Sequence, residues 1–143
     1  MRSIILLAII LLNSCADQQQ KQVDKPIIKK NVVRYGMVTG LKPEKIEYYN
    51  KLHAEPWPSI TNLLTSCNIG NYSIFLQKIK EEYYLFSYFE YSGVDYEADM
   101  KKIAADTSMQ RWWKETDPCQ LPLEEALAKH QIWTPMQSVF FLK

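Results

Sequence analysis

Apolar residues change their spacing several times along the chain, and each change marks an element. Residues 32–39 are rich in β-formers, and Gly40-Leu41-Lys42-Pro43 then supplies a turn with a proline suited to the first turn of a helix. From 44 to 66 the apolar positions Ile46, Tyr49, Leu52, Ile60, Leu63 and Leu64 recur at helical spacing. Pro56-Trp57-Pro58 interrupts them, so the helix is expected to bend or restart there. Gly70 is read as the next turn, after which Tyr72, Ile74 and Leu76 alternate with Ser73 and Phe75 as in a strand. Lys80-Glu81-Glu82 forms a hairpin loop before a second strand over 83–91. A helix over 96–105 breaks near Asp106-Thr107 and resumes through 109–113. Pro118 and Pro122 open a long loop with a short helical piece at 123–129, and a final strand is expected over 137–142, centred on Val139-Phe140-Phe141-Leu142.

The resulting order is β-α-β-β-α-β, the ferredoxin-like α+β pattern of four antiparallel strands with helices on one side. The strand at 83–91 places Tyr83, Leu85 and Phe89 on one face and Tyr84, Phe86 and Tyr88 on the other. One helical layer covers a single face, so the second is expected to meet another copy of the chain, giving a homodimer.

The beginning of the sequence follows a different pattern. Residues 1–14 carry one cation, Arg2, an apolar run from Ile4 to Leu12, and then Asn13-Ser14 before Cys15. The run is shorter than the ~20 residues of a permanent transmembrane helix. Leu12-Asn13-Ser14-Cys15 resembles a bacterial lipobox, so 1–14 read as a lipoprotein signal peptide and Cys15 as the lipidated residue. Residues 15–30, rich in Gln, Lys and Asp, read as a flexible tether. This makes the protein an exported, membrane-anchored lipoprotein at the periplasmic or outer-membrane face, touching membrane through its anchor alone. Residues 31–143, roughly 110 in number, suffice for one domain.

Charge narrows the partners. The formal net charge is +1, and removing Arg2 leaves equal numbers of basic and acidic residues, so nothing points to a nucleic-acid partner. No His or carboxylate lies at ligand spacing from Cys67 or Cys119, which excludes a zinc motif and leaves both as core or loop thiols, or a disulfide if geometry permits.

The candidate chemistry lies in aromatic residues and one histidine. Tyr49 and His53 are four apart on a helix and share one face. An imidazole with an ordinary pKa near ~6.5 exists in both protonation states around neutrality, as acid-base catalysis requires. Core packing explains such a pair equally well. Tyr72 faces the same side as Ile74 and Leu76, with packing as its plain alternative. In Arg111-Trp112-Trp113-Lys114, two adjacent indoles between cations offer a platform for the apolar face of a sugar, although neighbours on a helix diverge by about 100° and only one can stack flat. Trp57 is read as an anchor at the helix break and His130 as exposed.

Tyr49-Asn50-Lys51-Leu52-His53, Pro56-Trp57-Pro58, Asn71-Tyr72-Ser73-Ile74-Phe75-Leu76, Gln110-Arg111-Trp112-Trp113-Lys114 and the ending Val139-Phe140-Phe141-Leu142 together resemble the L-rhamnose mutarotase family, in order and spacing. The resemblance spans residues 32–142. It implies a dimeric ferredoxin-like α/β barrel that interconverts the anomers of a 6-deoxy-hexose without a cofactor or metal. In that setting His53 matches the family's proton donor, donating to the ring oxygen, and Tyr49, Tyr72, Trp112 and Trp113 match its sugar-binding positions. The base for the anomeric hydroxyl is not identified. Two other readings remain open at this point: a lipid-anchored sugar-binding module without catalysis, and a cofactor-free dimeric-barrel monooxygenase. Ala54-Glu55 after His53 and the loop Asp117-Pro118-Cys119-Gln120 depart from the family pattern and bear on substrate preference.

Overall fold

The computed structural model describes residues 31–142. The apolar leader, Cys15 and the tether lie outside the described residues. Strand β1 (Val33–Leu41) leads through a 3₁₀ turn (Pro43–Lys45) into α1 (Ile46–Ala54) and α2 (Pro58–Ser66), followed by β2 (Ile69–Ile79) and β3 (Glu82–Tyr91). Helices α3 (Tyr96–Ala105) and α4 (Thr107–Thr116), a 3₁₀ turn (Asp117–Cys119), β4 (Gln120–Leu121), α5 (Glu124–Leu127) and β5 (Thr134–Met136) complete the fold. The strands are antiparallel and run β2-β3-β1-β4, with β5 also paired to β1, the spatial order of a ferredoxin-like sheet.

Local chemistry explains the boundaries. Pro56 biases the chain away from helix, and Pro58 restarts it as a first-turn proline. The break between α3 and α4 is a cap: Asp106 accepts from the backbone N–H groups of Ser108 and Met109, at 2.8 and 3.0 Å. Asp95 does the same for α3 through Ala98.

Two expectations need correction. Gly70 is a β2 residue, not a turn, and the chain reverses earlier, at Asn68, whose φ of 61° an asparagine tolerates. In addition, Asn71 and Tyr72 together oppose Phe89 of β3, forming a bulge between the pairs Gly70↔Glu90 and Ser73↔Tyr88. The extra residue lets both Ile69 and Tyr72 face the helices, which uninterrupted alternation forbids.

The final strand also lies elsewhere. The place beside β1 is filled by β4 and β5, while residues 137–142 are not in a strand. β5 pairs Met136 with Gly36, and continuing that register sets Val139 against Val33, the first residue of β1. The β-forming residues beyond it have run past the end of their partner strand. At the other end of β1, Gly40 admits β4: a Cβ there would sit 2.7 Å from the Leu121 carbonyl oxygen.

The helices cover one face of the sheet, and the core beneath them forms two clusters. One contains Ile60, Ile69, Phe89, Tyr91, Ile103, Met109 and Trp112; the other contains Leu41, Tyr49, Leu85 and Cys119. Cys67 and Cys119 are separate buried thiols. The opposite face carries Phe75, 61% exposed, with Phe86, Tyr84 and Tyr88 half-buried.

Candidate active site

Where the two clusters meet, the interior stays open. A cavity of about 510 Å³, within the ~300–1,000 Å³ usual for small-molecule sites, takes residues from both. All five residues singled out in the sequence line it: Tyr49 and His53 from α1, Tyr72 from the β2 bulge, and Trp112 and Trp113 from α4.

The two indoles divide their work as helical geometry requires. Trp112 is buried, with the His53 ring edge-on at 5.2 Å and Trp57 edge-on at 5.3 Å behind it. Trp57 thus anchors the helix break and Trp112, and is not among the residues lining this cavity. Trp113, 36% exposed, offers an accessible indole at the rim. His130 is exposed, as expected.

His53 is held in one orientation. Its ring stacks on Tyr49 with centroids 4.1 Å apart, and Nδ1 lies 3.0 Å from the Tyr49 carbonyl oxygen, one helical turn back. A carbonyl only accepts, so Nδ1 carries the proton and donates. In the neutral ring Nε2 is then an unprotonated acceptor, with no hydrogen-bond partner among the described residues. Burial pulls the His53 pKa below 6.5, and the carbonyl contact offsets this only in part. Near neutrality the ring therefore rests as a base.

The phenols are poised as donors. Burial pushes Tyr49 well above the usual phenol range, and desolvation takes Tyr72 up to about 12 although 44% of the residue's surface is exposed. Both keep their protons at any ordinary pH. Tyr49 accepts a hydrogen bond from Gln120 Nε2 at 3.3 Å, which leaves its own O–H free to donate.

Met37, Met100, Thr116, Gln131, Ile132 and Trp133 line the cavity without having been singled out in the sequence; Ile74 shares the face of Tyr72, and Asp117 and Gln120 were read only as part of a loop bearing on substrate preference. Asp117 and Gln120 were readable in principle. Asp117 is four residues after Trp113, and Gln120 four after Thr116, so helical phase carried through the 3₁₀ turn points both at the site. Pro118 disguised them as the start of a loop. Among the described residues, no cluster of three His, Cys, Asp or Glu side chains could hold a metal ion.

Comparison with known proteins identifies the family. A protein of Lactiplantibacillus plantarum named L-rhamnose mutarotase is 35% identical over 111 residues, covering 78% of this chain and 99% of that one. One of the same name from Pectobacterium atrosepticum is 31% identical over 102 residues, covering 67% and 93%. The crystal structure titled L-rhamnose mutarotase FA22100, from Formosa agariphila, superposes with a TM-score of 0.58 over 78% of this chain and 99% of that one; at 21% identity this establishes a shared fold. The sequence pattern described as L-rhamnose mutarotase matches residues 34–142, nearly all of the described residues. The chain belongs to the L-rhamnose mutarotase family.

Proposed function

We propose that the protein interconverts the α and β anomers of L-rhamnose or a close 6-deoxy relative, with His53 moving the proton. The observation that carries this reading is the imidazole tied by Nδ1–H to the Tyr49 carbonyl, its unprotonated Nε2 left in a cavity walled by Trp112 and Trp113. Mutarotation moves one proton from the anomeric hydroxyl to the ring oxygen. Nε2 takes the hydroxyl proton; the bond between C1 and the ring oxygen breaks as the C1 carbonyl forms; the imidazolium returns the same proton to the ring oxygen. Rotation about C1–C2 presents the other carbonyl face, and the steps reverse. Donation to the ring oxygen remains the task of His53, preceded by abstraction at the same nitrogen, so a separate base is unnecessary. Tyr49 and Tyr72 supply O–H donors, and one indole, the accessible Trp113, stacks on the apolar face of the ring while Trp112 backs His53. Acid-base catalysis of this kind contributes about 10²–10⁴-fold.

Saturation-transfer NMR on L-rhamnose tests the reading. Exchange between the anomeric signals should accelerate in proportion to protein concentration. Binding without accelerated exchange would make the chain a sugar-capture module instead.

We further propose that a second copy covers the outer sheet face. Phe75 and Ile79, 61% and 45% exposed, stand on that face, Val139, 91% exposed, lies level with the start of β1, and Phe140 and Leu142, at 78% and 77%, extend beyond it. So much apolar surface is costly in water. Light scattering should give twice the chain mass and Phe75→Asp a monomer; a monomeric parent protein at micromolar concentration would refute the pairing.

Export and anchoring through Cys15 rest on the lipobox-like Leu12-Asn13-Ser14-Cys15. Mass spectrometry of the mature protein should find acyl chains on Cys15, and an unmodified cysteine would rule the anchor out.

A further inference from the structure

One wall of the cavity holds polar atoms that the proton transfer does not use. Gln120 is 6% exposed, and its Nε2 is committed to Tyr49, while its Oε1 is buried with no hydrogen-bond partner. An unsatisfied buried acceptor is unfavourable unless water or a ligand brings it a donor. Asp117 lines the same cavity half-buried, and among the described residues its carboxylate forms no hydrogen bond or ion pair. Partial desolvation raises its pKa above 3.8, as expected of a carboxylate that has lost some of its water and gained no partner.

Neither group is placed loosely. Asp117 follows α4 directly, with its backbone N–H donating to the Trp113 carbonyl. Gln120 N–H donates to the Asp117 carbonyl, closing the 3₁₀ turn. The turn is fastened to the end of β1 by Lys42, whose backbone N–H reaches the Cys119 carbonyl at 2.9 Å and whose Nζ reaches the Pro118 carbonyl at 2.7 Å. Two acceptors are therefore held on one rigid turn, beside the Tyr49 hydroxyl and in the cavity that the indoles wall.

This arrangement suits a ligand with an apolar face and several O–H donors. Resting on the mutarotase reading, we propose that Asp117 and Gln120 form a hydroxyl-reading edge that accepts hydrogen bonds from adjacent ring hydroxyls of the sugar and ranks monosaccharides by their hydroxyl orientation. The edge binds and orients; His53 remains the group that moves the proton. A hydroxyl of the wrong configuration leaves a buried acceptor unpaired, which discriminates more sharply than the loss of an apolar contact.

The test measures KM and kcat for anomer exchange of L-rhamnose and L-fucose with the full protein, Asp117→Asn and Gln120→Met, each checked for folding by thermal melting. Asp117→Asn exchanges one acceptor oxygen for a donor at constant shape. It should raise KM for the preferred sugar about tenfold or more, leave kcat within about threefold, and narrow the gap between the two sugars. Gln120→Met should act in the same direction. If Gln120→Met does not fold, Asp117→Asn decides alone. Unchanged KM and sugar ranking would overturn the proposal, and so would a fall in kcat at unchanged KM, which would place Asp117 in proton transfer. Should the parent protein exchange neither sugar, the mutarotase reading fails by itself. The edge is then judged by whether Asp117→Asn weakens saturation-transfer binding of the same sugars.

Discussion

Asp99 on α3 and Asp117 at the end of α4 are both half-buried carboxylates, the first satisfied by the protein and the second not. Asp99 accepts from the Tyr91 hydroxyl and from Asn68 Nδ2, both at 2.8 Å, and these donors hold its carboxyl below the usual range. Asn68 in turn accepts the backbone N–H of Ser92, so the triangle joins the β2 entry to the β3 exit. Asp117 has no such donors, and desolvation raises its pKa. A polar network completed by the protein holds the fold; one left incomplete beside a cavity awaits a ligand.

Substitutions on the two sides should separate these roles. The largest effect belongs to the open side. His53→Gln should cut the catalysed rate by about 10²–10⁴-fold, as polarimetry on freshly dissolved L-rhamnose would show, with little change in thermal midpoint. A rate equal to that of the parent would remove His53 from the chemistry. On the closed side, Asp99→Asn should reverse the pattern. The melting temperature falls by a few degrees while anomer exchange at room temperature is retained. The sign is fixed by the lowered pKa: the Asp99 contribution is present above its ordinary 3.8 and is lost as pH falls through the lower folded value. An activity loss without a stability loss would erase the distinction.

The smallest effect is on pH dependence. Because desolvation lowers the His53 pKa, the base form persists below pH 6.5, and kcat/KM should hold through neutrality before declining on the acid side. An inflection above 6.5 would mean that the imidazole has a partner stabilising its charge.

Much of this contrast is legible in the sequence because it rests on local rules. The Tyr49–His53 spacing, the Pro56-Trp57-Pro58 break and the divergence of Trp112 from Trp113 follow from helix geometry, and the structure places these residues accordingly. What was hidden depends on pairing between distant segments. The bulge that turns Tyr72 inward exists because Gly70 and Ser73 keep their partners on β3, which alternation within β2 does not reveal. Residues 139–142 have every local feature of a strand, yet the register of β5 runs 140–142 past the end of β1. Asp117 and Gln120 reach the cavity because the chain keeps turning in helical sense beyond Pro118. A proline in the first turn of a 3₁₀ segment is permitted, and read alone it signals a loop.

The tautomer of His53 underlies all the chemistry, and long-range ¹H–¹⁵N correlation at pH 7 observes it directly. The expected spectrum shows a protonated Nδ1 and an Nε2 shift typical of a bare pyridine-like nitrogen, perturbed on adding L-rhamnose. A proton on Nε2 in the free protein, or a doubly protonated ring at that pH, would contradict the account.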